Sequence, residues 1–131
     1  MNIPSLGLSV PVLEDDQTGS LQQGVGHIRG TALPGGLGTV GLAGHRDTFL
    51  RPLQKIAPAM EVDLSRGPAL YRYVVDRTEI VRPEAVGVLA WQNTPELVLV
   101  TCYPFHYIGA APMRFIVYAH LLSLAPDQVK R

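Results

Sequence analysis

The feature that most constrains this chain is the run Leu97-Val98-Leu99-Val100-Thr101-Cys102-Tyr103-Pro104. Four consecutive branched apolar residues, with no charge and no breaker, read as a strand covered on both faces. The run stops at the only cysteine of the chain, two residues before a proline. A cysteine held at the end of a core strand, where a loop begins, is fixed in place and still reachable by a substrate. Taken alone it reads more readily as a small buried hydrophobe.

The rest of the chain supplies a mainly β setting. Eleven prolines and thirteen glycines punctuate many short Val- and Leu-rich runs within 131 residues. That length suits one domain with one core. Eleven basic residues balance eleven acidic ones, so no surplus charge argues for nucleic acid or an anionic membrane surface. A single cysteine forbids an internal disulfide and a multi-cysteine metal site. No stretch is long and apolar enough to span a bilayer, and no signal-peptide pattern opens the sequence. The sequence is compatible with a soluble piece of a longer, anchored protein.

Alternation of Leu6, Leu8, Val10 and Val12 predicts a first strand over Ser5 to Leu13, at an edge because of Pro11. Glu14-Asp15-Asp16 reads as a solvated turn and is too weak a basis for a calcium site. Leu21 to Gly24 reads as one helical turn closed by glycine. The glycine-rich run Gly30 to Gly38 lacks the ending of a phosphate loop. Thr39 to Gly44 reads as a tightly packed core strand ending at His45. Phe49, Leu53 and Ile56 share a helical face, with Asp47 or Thr48 as the cap and Pro52 in the first turn. Met60 to Leu64 and Ala69 to Val81 are strands around the turn Arg66-Gly67-Pro68. Arg82 to Pro95 reads as a loop with one helical turn, Tyr103 to Met113 as a loop, Arg114 to Leu122 as the last strand and Asp127 to Arg131 as a polar tail.

Three chemical groups therefore stand at strand ends. His45 closes one strand, Cys102 closes another, and Arg114 opens the last. If the last two strands form an antiparallel pair, Cys102 and Arg114 share one end of a sheet. A thiolate is the nucleophile, and a free thiol has a pKa near 8.5. A histidine can exchange protons with it and with a leaving amine. A guanidinium can stabilise an oxyanion. Together they form a coherent acyl-transfer set.

The pieces Gly44-His45-Arg46-Asp47-Thr48-Phe49, Leu97 to Pro104 and Arg114-Phe115-Ile116-Val117-Tyr118-Ala119 resemble the sortases, cysteine transpeptidases of bacterial cell surfaces. Gly26-His27-Ile28 and Gly30 to Gly35 extend the likeness, which covers about Leu6 to Leu122. His-Arg-Asp-Thr-Phe and Thr-Cys-Tyr-Pro-Phe are most similar to class D. The chain departs from the family at Gly38-Thr39, where Gly-Asn is frequent, and at Ala59-Met60, where Gly-Asp is frequent.

The resemblance implies a closed eight-stranded sortase-type β-barrel with short helices, as one catalytic domain over residues 1–131. It implies catalytic His45, Cys102 and Arg114, and substrate contacts from Thr101, Ala43, Trp91 and Tyr103. The implied reaction cleaves a Leu-Pro-x-Thr-Gly-like sorting signal through a thioester and passes the acyl group to an amine, such as a cell-wall precursor or a lysine. It implies no cofactor and no metal, and an extracytoplasmic place beside the membrane. Two alternatives stay open: a non-catalytic barrel that binds an extended peptide by strand addition, and a cysteine hydrolase that uses water. Among the remaining candidates, His27 reads as structural or groove-lining, His106 and His120 have no second ligand at metal spacing, and Arg46 sits beside His45 rather than opposite Cys102.

Overall fold

The computed structural model describes residues 1–13, 24–44, 50–86, 94–103 and 112–124. Nine strands form one sheet: β1 (Asn2–Ile3), β2 (Leu8–Ser9), β3 (Val12–Leu13), β4 (Val25–His27), β5 (Thr39–Gly44), β6 (Glu61–Arg66), β7 (Ala69–Val81), β8 (Glu96–Tyr103) and β9 (Met113–Leu124). Their order is β2-β1-β6-β7-β9-β8-β5-β4-β3. The fold is mainly β, as the sequence predicts.

The two edges of this sheet, β2 and β3, are separated in the chain only by Val10 and Pro11. Two residues span no more than about 10 Å between flanking Cα atoms. The sheet must therefore curl until its edges nearly meet. One contiguous core confirms the curl, because it draws on Ile3 and Leu8 at one edge, Val25 near the other, and Leu42, Leu64, Tyr73, Leu97, Leu99 and Val117 between them. Curling hides the two edges from other chains.

The N-terminal strip corrects the expected single strand over Ser5 to Leu13. Pro4 starts a 3₁₀ turn, Pro4–Leu6, and Gly7 ends it in the left-handed region at φ 64°. Pro11 has no N–H to give a ladder, so pairing lapses between β2 and β3. The eight strands of the sequence reading become nine, and the closure is an interrupted one. The core also reaches back to Met1 and Ile3, both buried.

Elsewhere prediction and structure agree closely. A 3₁₀ helix, Arg51–Lys55, carries Pro52 in its first turn and buries Leu53, with Leu50 and Ile56 buried beside it. Only the helix type differs from expectation; its proposed caps, Asp47 and Thr48, lie outside the described residues. Gly67, at φ 59°, turns β6 into β7, with Arg66 opposite Ala69. A short helix, Pro83–Val86, follows β7. The helical turn read at Leu21 to Gly24, the acidic cluster at 14–16 and the tail at 127–131 lie outside the described residues.

Candidate active site

β8 is the hub. It pairs in parallel with β5, Thr39 opposite Glu96 through Gly44 opposite Thr101. On its other side it pairs antiparallel with β9, Glu96 opposite His120 through Tyr103 opposite Met113. Side chains alternate along a strand, so the two faces of β8 have different company. Leu97 and Leu99 enter the large core, and Tyr103 packs against it. Val98 and Val100 face the other way and form a second, smaller cluster with Ile116, flanked by Ile28, Val81 and Tyr118.

Cys102 belongs by alternation to this second face. Its register partner on β9 is Arg114. Directly opposed residues of an antiparallel pair hold their Cβ atoms about 4.5–5.5 Å apart and project to the same side. Cys102 is a free thiol and half-buried. Arg114 is also half-buried, and its Nη1 donates a hydrogen bond of 2.9 Å to the carbonyl of Met113. Val81 on β7 stands opposite Arg114, and Glu79 opposite Ile116. The thiol and guanidinium thus lie at one end of an apolar strip made by Val100, Ile116 and Val98.

On β5 the same face carries Ala43, opposite Val100, and Gly41, opposite Val98. A side chain at Gly41 would press on Thr31 and Ile28, whose atoms would stand only 3.0–3.4 Å from its Cβ. The absence of one lets the Ile28–Ala32 turn lie on the strip and wall it. Gly44 faces the core instead, where a Cβ would collide with Leu50. It pairs with Thr101, and the chain bonds it directly to His45. His45 and Trp91 themselves lie outside the described residues.

Thr101 and Tyr103, read from sequence as groove contacts, are turned by the same alternation toward the core. Thr101 is 2 % exposed, and its hydroxyl has no hydrogen-bond partner among the described residues. Tyr103 stacks on Phe115, with ring centroids 6.1 Å apart and planes at 21°. These two side chains support the strand that carries Cys102 from beneath. Ala43 does line the strip. His27 lies opposite Leu42 and so on the core face. Its Nε2 lies 2.7 Å from the carbonyl of Ala32 and 3.0 Å from the Thr31 hydroxyl. A carbonyl can only accept, so Nε2 carries the proton. Thr31 accepts in turn from the Gly41 amide at 3.0 Å. His27 is therefore tied into the wall of the strip rather than presented to it.

The far end of the strip is polar. Tyr118 donates to Glu79 at 2.8 Å, and the Arg77 guanidinium lies 3.8 Å above the Tyr118 ring. The Tyr118 hydrogen bond, helped by Arg77, holds the Glu79 carboxyl below its ordinary pKa. Among the described residues no group of three or more metal-ligating side chains occurs.

Sequence reasoning missed Val98, Val100, Ile116, Val81 and Ile28 as site residues. The signal was present. Once Cys102 and Arg114 are set opposite one another, counting by two back along β8 and forward along β9 gives Val100, Val98 and Ile116.

A sortase-domain family model matches residues 1–122. The chain belongs to the sortase family. Sortase D of Bacillus subtilis strain 168 is 33 % identical over 119 residues, which are 90 % of this chain and 60 % of that protein. The chain thus spans less than two thirds of that relative. The sortase D catalytic domain of Bacillus anthracis is also 33 % identical, with a TM-score of 0.77, covering 94 % of this chain and 85 % of that one. Sortase A of Corynebacterium diphtheriae is 28 % identical with a TM-score of 0.85, over 98 % of this chain and 62 % of that one. The two relatives at 33 % identity are both D sortases, in keeping with the class suggested by the sequence.

Proposed function

We propose that this sortase domain is a cysteine transpeptidase acting on a Leu-Pro-x-Thr-Gly-like sorting signal. The observation that carries the reading is the register pair Cys102–Arg114 at the head of an apolar strip. The Cys102 sulfur attacks the carbonyl carbon of the signal's Thr, and Arg114 hydrogen-bonds the oxyanion that forms. The C–N bond breaks, the thioester remains on Cys102, and His45 protonates the leaving amine. An incoming amine attacks the thioester, gives its proton to His45 and releases the Cys102 thiolate, which restores the thiolate and imidazolium that began the cycle. His45 is assigned by its bond to Gly44, whose partner Thr101 precedes the nucleophile. Val98, Val100, Ile116 and Ala43 receive the apolar residues of the signal, and Trp91, which lies outside the described residues, is assigned to the same contact from the sequence.

The acceptor would be an amine of the cell surface, and the domain would work outside the cytoplasm, as part of an anchored protein. No helix among the described residues is long and apolar enough to cross a membrane. The test incubates the protein with a library of Leu-Pro-x-Thr-Gly-like peptides and added amines, followed by mass spectrometry. The expected products are an acyl adduct on Cys102 and a ligated peptide–amine. Cleaved peptide without ligation would make the domain a hydrolase. Peptide retained but uncut, with no adduct, would make it the non-catalytic binding barrel.

A further inference from the structure

The proposed reaction leaves His27 unused. This half-buried histidine ends β4, and the chain then turns back onto β5. The Ile28 amide donates to the Gly41 carbonyl at 2.8 Å, and the Ala32 amide to the Thr39 carbonyl at 2.8 Å. Between these two feet the Thr31 amide donates to the Ile28 carbonyl at 3.2 Å, and Gly30 takes the left-handed conformation at φ 85°. Backbone bonds thus anchor the ends of the Ile28–Ala32 turn.

Side chains hold its body. The Thr31 hydroxyl has one proton and donates it to the Ile28 carbonyl at 2.7 Å. Toward the Gly41 amide and the His27 ring it can therefore only accept, at 3.0 Å each. The Nε2–H of His27 is shared between that hydroxyl and the Ala32 carbonyl, which closes a clamp across the turn. Nε2 carries a hydrogen in this tautomer and in the imidazolium alike, so the clamp does not depend on the charge of the ring. What it holds is the wall of the strip. Ile28 flanks Val98, Val100 and Ile116, and Ile28 and Thr31 fill the place that a side chain at Gly41 would take. A wall fixed before a peptide arrives spares the cost of ordering it on binding.

We infer that His27 is a positioning residue for the peptide. Its Nε2–H holds the Ile28–Ala32 turn against the floor of the strip, and so raises affinity for the apolar part of the sorting signal. The inference rests on the proposed function for the identity of that peptide. It gives His27 no part in proton transfer.

The test separates the two ring nitrogens. The amide nitrogen of Gln can take the place of Nε2, whereas that of Asn reaches only the place of Nδ1. His27 lines a cavity of about 510 Å³ with Leu13, Leu33 and Pro34, which gives either replacement room. In a Cys102→Ala background the peptide stays whole, and fluorescence anisotropy of a labelled Leu-Pro-x-Thr-Gly-like peptide reads Kd. His27→Asn is expected to weaken binding about fivefold or more, as for one lost hydrogen bond, and His27→Gln by about twofold or less. With Cys102 present, His27→Asn should raise KM while kcat stays near parental, and iodoacetamide should alkylate the thiol at the parental rate. Amide exchange followed by NMR should show Gly41 and Ala32 less protected in His27→Asn and unchanged in His27→Gln. Thr31→Val removes the shared acceptor and should weaken binding likewise, which keeps the test open if His27→Asn does not fold. A merely structural histidine would lower the melting temperature of both His27 variants without moving the Kd of the folded protein. The inference is overturned if Gln and Asn behave alike, if Asn leaves Kd and the protection of Gly41 and Ala32 at parental values, or if the loss falls on kcat alone. A parent protein that neither binds nor cuts such peptides overturns the proposed function instead, and the exchange comparison then decides the clamp by itself.

Discussion

The two faces of β8 lie within one strand and do opposite work. Leu97, Leu99 and Thr101 point into a core gathered from nearly every strand. Val98, Val100 and Cys102 point onto a cluster whose buried members number only three. A side chain on the first face is held by many neighbours, and one on the second by few. The contrast teaches that stability and chemistry are separable here at spacings of a single residue. The first face fixes where the strand is, and the second uses that fixity.

The contrast can be broken most forcefully at Cys102. Cys102→Ala should leave the melting temperature nearly unchanged and lower turnover by roughly 10⁴ or more. Peptide cleavage at the parental rate by that variant would remove the nucleophile from the second face. The complementary change is Leu99→Ala on the first face. It should cost about 2–5 kcal/mol of stability, read by urea denaturation, while kcat/KM of the folded fraction stays near parental. Val100→Ala, one residue away, should cost less stability and raise KM instead.

Arg114→Lys comes next. Lysine keeps the charge but loses the planar fork. If the guanidinium holds the oxyanion, kcat should fall by about 10²–10³ with the fold intact. A change confined to KM would move Arg114 to ground-state positioning of the substrate.

The smallest effect sharpens the comparison on another strand. On β6, Val62 and Leu64 face the core, and Asp63 between them is buried on the opposite face. Burial raises its pKa to about 6, reinforced by the neighbouring Glu61 carboxyl and opposed by Arg72. An unfolded Asp titrates near 3.9. The folded chain therefore holds an extra proton between about pH 4 and pH 6, so its stability should fall as pH rises through that window. Asp63→Asn should flatten this slope and raise the melting temperature by a few degrees at pH 7.5, with little change at pH 4.5. A slope that survives the substitution would place the titrating group elsewhere.

Legibility followed the same division. β8 and β9 were readable because each is long, free of breakers and closed by a residue of distinctive chemistry. Their antiparallel pairing then put Cys102 opposite Arg114 without further information. Thr101 and Tyr103 stand next to Cys102 in the sequence but turn to the other face, because a period of two sends neighbours apart. The N-terminal strip was misread because alternation of Leu6, Leu8, Val10 and Val12 persists through Gly7 and Pro11, which end hydrogen bonding without disturbing the hydrophobic pattern.

The placement of β8 between β5 and β9 also sets an order of assembly. Its partner β9 is reached after a ten-step connection from Tyr103 to Met113, whereas Thr39 and Glu96 are 57 residues apart. Closing the longer loop costs about 1.5 kcal/mol more in chain entropy, and distant pairings are the slow ones. A refolding chain therefore joins Cys102 to Arg114 first and acquires the strand that leads to His45 afterwards. Pulsed alkylation during refolding would follow the two stages, and protection of the thiol only with β5 docking in a single step would refute them. On the proposed assignment of His45, the molecule between the stages would carry a thiol beside a cation with no proton carrier at hand, and would be inert toward peptide while it is still being built.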